Sequence, residues 1–428
     1  MSCNTVPTQR RRPGHPVVAW GDSLTAGSGA SGPDTAYPAA ASRLFDPPLA
    51  VANRGIGGQP AETIAARQGG LPILVTVSGN QIPARQGQSW SWTFGDGTAQ
   101  GWTRHPQGTT APVTEGKLAA TASTLLEGVR RDLATVLASG LMVRIEFDIV
   151  MSPGLTVRIN GMGGGSWGSV VPETGAYGHN VEASGHYSLV LRTGGAIVDY
   201  MDRLAFVAVS GTGTFTLDNI VLRVIPPAVS VAVVAKSVNV LTDSGGYIGS
   251  LAGTLAGVAG TMTTNGTGNW TFTRSSEGEA AACPPGSRFL PDDAAALRDR
   301  TAWIWVGNNA VVDAVSAAAA RNAIAAMAGH LAHGRYLVAS ALPSAGQPPE
   351  RIAVLRDLNA ELAARHGSRF ADLYALLRAG GDGSAQDNAD IAAGYIPRSL
   401  RSDQVHLNDA GYALVAQAMH RATVAKGW

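Results

Sequence analysis

The stretch that decides the fold is Val17–Gly27, which reads VVAWGDSLTAG. Its first four residues, Val17–Trp20, form a continuous apolar run, which is typical of a strand buried on both faces of a parallel sheet. The run is followed by Gly21-Asp22-Ser23 and then by a predicted helix. A serine at the carboxyl end of a parallel strand lies where α/β sheets bind their ligands. This stretch therefore predicts both an α/β fold and the edge of the sheet that carries the candidate site.

The alternation of strand and helix continues at both ends of the chain. Further buried strands are predicted at 49–53, 301–306, 336–340 and 370–373, and Ala-rich helices at 311–333, 350–366 and 410–422. Because each strand is followed by a helix, neighbouring strands run in the same direction and the helices cover both faces of the sheet. We therefore predict one parallel sheet built from the two ends of the chain.

The middle of the chain has a different composition. Positions 71–290 contain 32 of the 53 glycines in 220 residues, against 21 in the other 208. Short runs rich in β-branched and aromatic residues are separated there by Gly, Asn, Ser and Thr, which is typical of a β-sandwich. We therefore predict three parts, which are a discontinuous α/β domain at 1–72 and 291–428, a small β-rich unit at 73–87 and 227–290, and an all-β sandwich at 88–226.

Composition excludes several classes of protein. Charged residues make up 15% of the chain and the net charge is +1, so no overall field attracts nucleic acid or anionic lipid. Two cysteines are too few for a disulfide framework or a metal cluster. The first sixteen residues contain no apolar stretch of signal-peptide length, and no segment reaches the roughly 18 apolar residues of a membrane span. We expect a soluble protein that is cytoplasmic, released or associated with a virion.

The far end of the chain offers what a serine nucleophile needs. Asp403 and His406 lie three residues apart, just before the last predicted helix. A serine hydroxyl becomes a good nucleophile when a base takes its proton, and the base works best when a carboxylate fixes its tautomer. Ser23, His406 and Asp403 therefore form a candidate catalytic triad. The alternatives are that Ser23 is a helix N-cap and that Asp403 caps the last helix.

Two further segments could donate hydrogen bonds to the oxyanion of a tetrahedral intermediate. Gly58 ends the sequence NRGIGG after the second strand, where a glycine allows a backbone N–H to approach a substrate closely. Asn309 follows the third strand in Gly307-Asn308-Asn309 and offers a side-chain amide. Tight turns and helix caps are the alternative interpretations of both segments.

Together the four segments resemble the GDSL or SGNH hydrolase family. The residues that match the family's catalytic positions are Ser23, Gly58, Asn309, Asp403 and His406. The resemblance implies a flavodoxin-like α/β/α core, a Ser23 nucleophile whose own N–H joins Gly58 and Asn309 as oxyanion donors, and no metal or organic cofactor. The family often has Asp after the asparagine, whereas this chain has Ala310, which removes one supporting hydrogen-bonding group.

The inserted segment from Trp90 to Ile225 resembles a carbohydrate-binding jelly roll, on the sequences SWTFGDGTAQGW and GTFTLDNIVLRVI. Its aromatic faces could stack on sugar rings, although each aromatic is also a core candidate. The aromatic candidates are Trp90, Trp92, Trp102, Trp167 and Tyr177. Asp96 and Asp218 could hold a structural Ca²⁺, but two isolated carboxylates are weak evidence, and we predict no metal site.

The predicted function is that of a serine esterase acting through an acyl-enzyme, with a small acyl ester or an acetylated glycan as substrate. A carbohydrate O-acetyl esterase is the favoured form. The alternatives are a lipase, thioesterase or arylesterase of the same family, and a non-catalytic glycan-binding or phage-tail component. Because the insertion joins the core at the amino ends of strands, we expect it to bind a polymer away from the catalytic crevice.

Overall fold

A computed structural model describes the chain in three stretches, residues 14–195, 197–238 and 248–428. Most of the N-terminal segment on which the signal-peptide expectation depends therefore lies outside the described residues. The chain forms two compact units. The first comprises the described residues of Met1–Pro83, Ser230–Ser276 and Ala281–Trp428, and the second comprises Ala84–Val229 and Glu277–Ala280.

The first unit contains a five-stranded parallel sheet. Its strands are β1 (Val17–Gly21), β2 (Val51–Gly55), β3 (Thr301–Trp305), β4 (Tyr336–Ala339) and β5 (Phe370–Ala371). Their order in the sheet is β2-β1-β3-β4-β5, which is one of the doubly wound orders of α/β proteins. Val17 pairs with Val51 on one side and with Thr301 on the other, so β1 is a central strand and its carboxyl end lies at the change of winding direction.

Nine helices occur in the described residues. They are α1 (Ser23–Ala26), α2 (Tyr37–Ser42), α3 (Ala61–Gln68), α4 (Asp292–Ala296), α5 (Ala314–His330), α6 (Pro349–His366), α7 (Leu373–Ala379), α8 (Ala385–Ala393) and α9 (Asp409–Ala425). Single turns of 3-10 helix lie at Ser78–Asn80, Gly367–Arg369 and Arg398–Leu400.

Helices cover the parallel sheet on both faces. All five residues of β1 are buried. Val17 and Ala19 pack in a cluster with residues of α2, α7 and α9, whereas Val18 and Trp20 pack in a second cluster with residues of α3, α5 and α6. Because successive side chains of a strand point to opposite faces, this division gives three layers, with the sheet in the middle.

The first unit also contains a closed six-stranded barrel. Its strands are Ile73–Val77, Val229–Lys236, Ile248–Leu255, Val258–Asn265, Trp270–Arg274 and Ser287–Pro291. A two-stranded ribbon pairs Gln81–Ile82 with Ala281–Ala282. The barrel interior holds large buried residues such as Trp270 and Phe272, together with the free thiol of Cys283. The segments assigned from sequence to a small β-rich unit thus close on one another across the intervening sandwich.

The second unit is an antiparallel β-sandwich, so the predicted large all-β region is confirmed. Sheet I, in spatial order, contains Ser169–Val170, Gly185–Thr193, Met142–Met151, Gly213–Ile225, Lys117–Ala122 and Val113–Thr114, and Ser89–Trp92 also pairs with Gly213–Ile225. Sheet II contains Ser166–Trp167, Thr156–Gly163, Tyr200–Ser210, Gly128–Ala138 and Trp102–His105, and His179–Val181 also pairs with Thr156–Gly163. One buried hydrophobic cluster fills the space between the two sheets.

Candidate active site

Ser23 lies at the carboxyl edge of the parallel sheet, as the first residue of α1. Asp22, between β1 and α1, caps this helix by accepting a hydrogen bond from the Leu24 backbone N–H at 3.0 Å. Asp22 is completely buried, whereas Ser23 is half-buried. Since Asp22 is the cap, the interpretation of Ser23 as an N-cap is wrong. The hydroxyl of Ser23 is left for another role.

Asp22 joins the loops that follow three neighbouring strands. Asn308 donates from Nδ2 to Asp22 Oδ2 at 3.1 Å, and Asn308 Oδ1 accepts from the Leu342 backbone N–H at 2.8 Å. Burial raises the pKa of Asp22 to about 6, although the hydrogen bonds from Asn308 and Leu24 oppose the shift. Asp22 and Asn308 were missed by sequence reasoning, even though each is the immediate neighbour of a predicted site residue.

Asp403 and His406 form a hydrogen-bonded pair. His406 Nδ1 lies 2.8 Å from Asp403 Oδ2, and Asp403 Oδ1 accepts from the backbone N–H groups of Val405 and His406, both at 2.7 Å. Burial alone would raise the pKa of Asp403, but the hydrogen bonds from His406 and the backbone outweigh it and lower the pKa to about 2. The ionised carboxylate holds the Nδ1 proton, so Nε2 of His406 is left to accept another.

The turn that carries His406 packs against the segment that follows Ser23. A Cβ atom on Gly29 would lie 2.9 Å from the Cβ of His406, and the Tyr412 hydroxyl donates to the Ser28 carbonyl at 2.7 Å. The side chains of Ser23 and His406 are not hydrogen-bonded to each other in the described structure. Such catalytic contacts are often long in the absence of substrate.

Helix α9 begins without help from Asp403. Its N-cap is Asn408, whose Oδ1 accepts from the Gly411 backbone N–H at 3.1 Å. The alternative role of Asp403 as a cap for the last helix is therefore wrong. All the hydrogen bonds of the Asp403 carboxylate described above stay within its own turn, and they orient His406.

The loop with Gly58 crosses next to Ser23. A Cβ atom on Gly57 would lie 3.7 Å from the Cβ of Ser23. Gly58 has a φ of +76° and is exposed, a backbone conformation that favours glycine. Asn309 Nδ2 donates one hydrogen to the Gln59 carbonyl at 3.2 Å, which leaves its second amide hydrogen for another acceptor. The predicted oxyanion donors thus lie on loops that contact one another.

The barrel supports this same loop. The Ile56 backbone N–H donates to the Gly21 carbonyl at 3.1 Å, and the Ile56 side chain packs against the hydrophobic cluster of the barrel. The loop also approaches α1 closely, because a Cβ atom on Gly55 would lie 2.0 Å from the Ala26 nitrogen. The sequence favoured an insertion that stays away from the crevice. In the barrel part of the insertion, this expectation is wrong.

The aromatic residues proposed as sugar platforms fall into two groups. Trp102 is completely buried and Trp92 is 6% exposed, and their rings pack edge to face with centroids 5.5 Å apart. They are core residues, so the prediction that they bind sugar is wrong. Trp90 also packs against this core while staying partly exposed. Trp167 and Tyr177 keep partly exposed rings.

Neither a metal site nor a membrane helix is found in the parts of the chain that the structure describes. Within them, no three His, Cys, Asp or Glu side chains are grouped as metal ligands. Asp96 instead accepts from the Thr98 N–H and hydroxyl, and Asp218 accepts from the Asn219 N–H. None of the described helices has the length and apolar character required to span a bilayer.

Comparison with known proteins gives similarities for part of the chain. No protein-family model matches it, and no curated protein does. Among solved structures, it is similar to the CBM22-1 xylan-binding domain of Xyn10C from Paenibacillus barcinonensis, with 18% identity over 34% of this chain and 99% of that domain and a TM-score of 0.26. It is also similar to the C-terminal family 22 carbohydrate-binding module of Clostridium thermocellum Xyn10B (16% identity, 32% of this chain, 92% of that one, TM-score 0.23). A family 29 carbohydrate-binding module gives 14% identity, 32% and 92% coverage and a TM-score of 0.22.

Proposed function

We propose that the first unit is a serine ester hydrolase of the GDSL or SGNH type. Ser23 is the nucleophile, His406 is the general base and acid, and Asp403 orients His406. The backbone N–H groups of Ser23 and Gly58 and the amide of Asn309 bind the oxyanion. The observation that carries the proposal is the Asp403–His406 hydrogen bond of 2.8 Å, on a turn packed against the segment that follows Ser23.

The reaction follows from these positions. His406 Nε2 takes the proton of Ser23 Oγ as this oxygen attacks the ester carbonyl carbon. The bond between that carbon and the alcohol oxygen then breaks, and the alcohol leaves with the proton from His406. Water attacks the acyl-Ser23 ester in the same way, which releases a carboxylic acid and restores Ser23. Because Asp403 is ionised, it stabilises the imidazolium of His406 at both steps.

The openness of the site favours a small acyl group. Ser23 is half-buried, and both Gly57 and Gly58 are exposed, so the nucleophile lies near the surface. Such a site suits an acetyl group carried by a bulky alcohol such as a sugar. The other members of this reaction class, lipases, thioesterases and arylesterases, would prefer longer or aromatic acyl esters. Relative kcat/KM values for acetyl, butyryl and octanoyl esters distinguish these substrate classes.

The test of catalysis is hydrolysis of p-nitrophenyl acetate. Ser23→Ala should lower kcat by at least 10³-fold, because the nucleophile is lost. The matched control is Ser166→Ala, at an exposed serine of the sandwich, which should leave kcat unchanged. A fluorophosphonate should add its mass to a peptide containing Ser23. Equal rates for the wild type and Ser23→Ala would overturn the proposal.

A second candidate function is glycan binding by the outer face of sheet I. Arg144, Glu146 and Asp148 alternate along one strand with buried residues of the sandwich core, so their side chains share the outer face. Two polar cavities of about 200 and 300 Å³ lie on this face. The first is lined by Arg144, Glu146, Val221, Arg223, Ile225 and Glu277, and the second by Lys117, Asp148, Val150, Thr216, Asp218 and Asn219.

The second cavity has an ordered carboxylate. Asp148 accepts from Asn219 Nδ2 at 2.6 Å and lies 2.8 Å from His186 Nδ1. These hydrogen bonds, first that of Asn219 and then that of His186, lower the pKa of Asp148. Charged acceptors and guanidinium donors form strong hydrogen bonds with hydroxyl groups. A row of them along one sheet suits a neutral polysaccharide, which fits a hydrolase that acts on acetylated glycan.

Affinity electrophoresis of the full chain in neutral polysaccharides, with and without O-acetyl groups and including xylan, tests this second function. Arg144→Ala and Arg223→Ala should weaken binding at least tenfold, while Arg288→Ala, in the other unit, should bind as the wild type does. Binding that is unchanged in both sandwich variants, or no retardation by any of the polysaccharides, would contradict it.

A further inference from the structure

A buried arginine joins the two ends of the loop that carries Gly58. Arg67 lies in α3 and is 3% exposed. Its Nε donates to Gln59 Oε1 at 2.7 Å, and its Nη2 donates to the Arg54 carbonyl at 3.0 Å. Gln59 is 1% exposed. Arg67 therefore binds the residue at the start and the residue at the end of the loop 54–59 at the same time.

Gln59 connects this loop to the second predicted oxyanion donor. Its side chain accepts from Arg67, while its backbone carbonyl accepts from Asn309 Nδ2 at 3.2 Å. An amide nitrogen has two hydrogens in one plane. When one of them is fixed on the Gln59 carbonyl, the direction of the other is fixed as well. The orientation of the Asn309 amide thus depends on where Gln59 is held.

The choice of arginine at this position is informative. Neighbouring residues of α3, among them Ile64 and Ala65, belong to the hydrophobic core, and burial of a charged group in such surroundings is costly. An apolar residue would fill the same space at a lower cost. The planar guanidinium can donate in two fixed directions at once, which lysine cannot do. Its carbon atom lies 5.5 Å from the ring centroid of Trp20, which stabilises its position.

We propose that Arg67 and Gln59 are positioning residues that align the Gly58 N–H with the Asn309 amide. This inference rests on the proposed esterase function. The two donors come from loops after different strands, β2 and β3, and an oxyanion is stabilised only when both are aimed at one point. Arg67 and Gln59 touch neither the substrate nor Ser23 in this role. They act through the separation and direction of the two donors.

The test is a double-mutant cycle on the full chain with p-nitrophenyl acetate. Arg67→Lys and Gln59→Met should each lower kcat about 10–100-fold with KM within about twofold, because the donors act on the transition state rather than on the bound ester. In an Asn309→Ala background, the same two changes should lower kcat less than about threefold, since the donor that they align is already absent. Gln59→Glu keeps an acceptor for Arg67 and should restore most of the activity.

The controls separate this inference from the function on which it rests. Arg369→Lys changes an exposed arginine before β5, at the opposite edge of the sheet, and should leave kcat unchanged. Equal losses in the wild-type and Asn309→Ala backgrounds, or an unchanged kcat in Arg67→Lys and Gln59→Met, would overturn the positioning role alone. Should Ser23→Ala retain full activity in the same assay, both proposals fail. If Arg67→Lys does not fold, Gln59→Met and Gln59→Glu give the same comparison.

Discussion

Asp22 is the residue whose ionisation should be visible in the stability of the whole protein. Its pKa is raised by burial to about 6 from an ordinary value of 3.8. The folded state therefore binds the Asp22 proton more tightly than the unfolded state does. The resulting stabilisation is fully present below about pH 4 and is lost as the pH rises through about 6.

We expect this loss to appear in a comparison with Asp22→Asn. Between pH 4 and pH 7, the free energy of unfolding of the wild type should fall relative to that of Asp22→Asn by on the order of 2–3 kcal/mol, since one pKa unit corresponds to about 1.4 kcal/mol. Urea denaturation at several pH values measures the difference. Parallel curves for the two proteins would show that Asp22 does not titrate in this range.

Ala310 has a backbone conformation that favours glycine. It follows Asn309, is exposed and has a φ of 61°, and the left-handed conformation costs a non-glycine residue about 1–2 kcal/mol. Ala310→Gly should therefore raise the free energy of unfolding by about 0.5–1 kcal/mol after the greater entropy of unfolded glycine is subtracted. Denaturant melts of the two proteins test this. A less stable variant would show that the strain is relieved elsewhere.

The residues with a local sequence signal were the ones that could be predicted. Ser23 follows an apolar run directly, and Asp403 and His406 lie within a single turn, so chemistry and position are both readable from short segments. Gln59 and Arg67 gave no such signal, because their roles depend on contacts between a loop, a helix and Asn309, which is about 250 residues distant. The only hint was a charged residue inside the apolar pattern of α3.

At the scale of elements, the turn that carries His406 depends on a buried ion pair. Arg401 Nη2 lies 2.5 Å from Asp390 Oδ2, with side-chain exposures of 6% and 11%. The same guanidinium donates to the Ile396 carbonyl at 2.7 Å and to the Asp403 carbonyl at 3.2 Å. Helix α8, which contains Asp390, is thereby joined to the turn between Arg401 and Leu407.

Removal of one partner should be worse than removal of both. Arg401→Met leaves the Asp390 carboxylate buried without its cation and should cost about 3–5 kcal/mol, whereas Arg401→Met with Asp390→Leu should recover at least half of this loss. The measurement is the urea midpoint of each variant, with kcat on p-nitrophenyl acetate as a second readout. If the double variant is as unstable as Arg401→Met, the ion pair itself supplies net stability.

The strands of the parallel sheet could be predicted because they are buried on both faces, which leaves unbroken apolar runs such as Thr301–Trp305. The edge strand β5 is shorter than predicted. It ends at Ala371, because Asp372 caps α7 by accepting from the Ala375 N–H at 3.0 Å. Closure of the barrel could not be predicted, since Ile73–Val77 pairs with strands more than 150 residues later in the chain. Alternation within a strand carries no information about its partner.

At the scale of the whole molecule, the sandwich has its own hydrophobic core and the parallel sheet has two others. The two ends of the inserted segment lie close together, because Arg85 donates to the carbonyls of Pro226 and Pro227 at 3.0 and 3.2 Å. A short linker can therefore replace the sandwich without a large entropic cost of loop closure.

We expect a variant in which a Gly-Ser linker joins Pro83 to Ser230 to keep its esterase activity. Its kcat on p-nitrophenyl acetate should stay within about threefold of the wild-type value, because every proposed catalytic residue lies in the first unit. Binding to polysaccharide should be lost. Ser23→Ala in the same variant is the control, and an unfolded or inactive product would show that the sandwich is needed for the first unit to fold.

The central pairing of Val17 with Thr301 has a consequence for the order of events during translation. Strand β1 is among the first described segments to leave the ribosome, but its partner β3 follows more than 280 residues later. The sandwich is complete in sequence, apart from Glu277–Ala280, before β3 has been made. Because domains generally fold as units during synthesis, we expect the sandwich to fold first on the nascent chain. The nucleophile then waits for its base until His406, near the end of the chain, emerges, so the chain acquires activity only at the close of its synthesis.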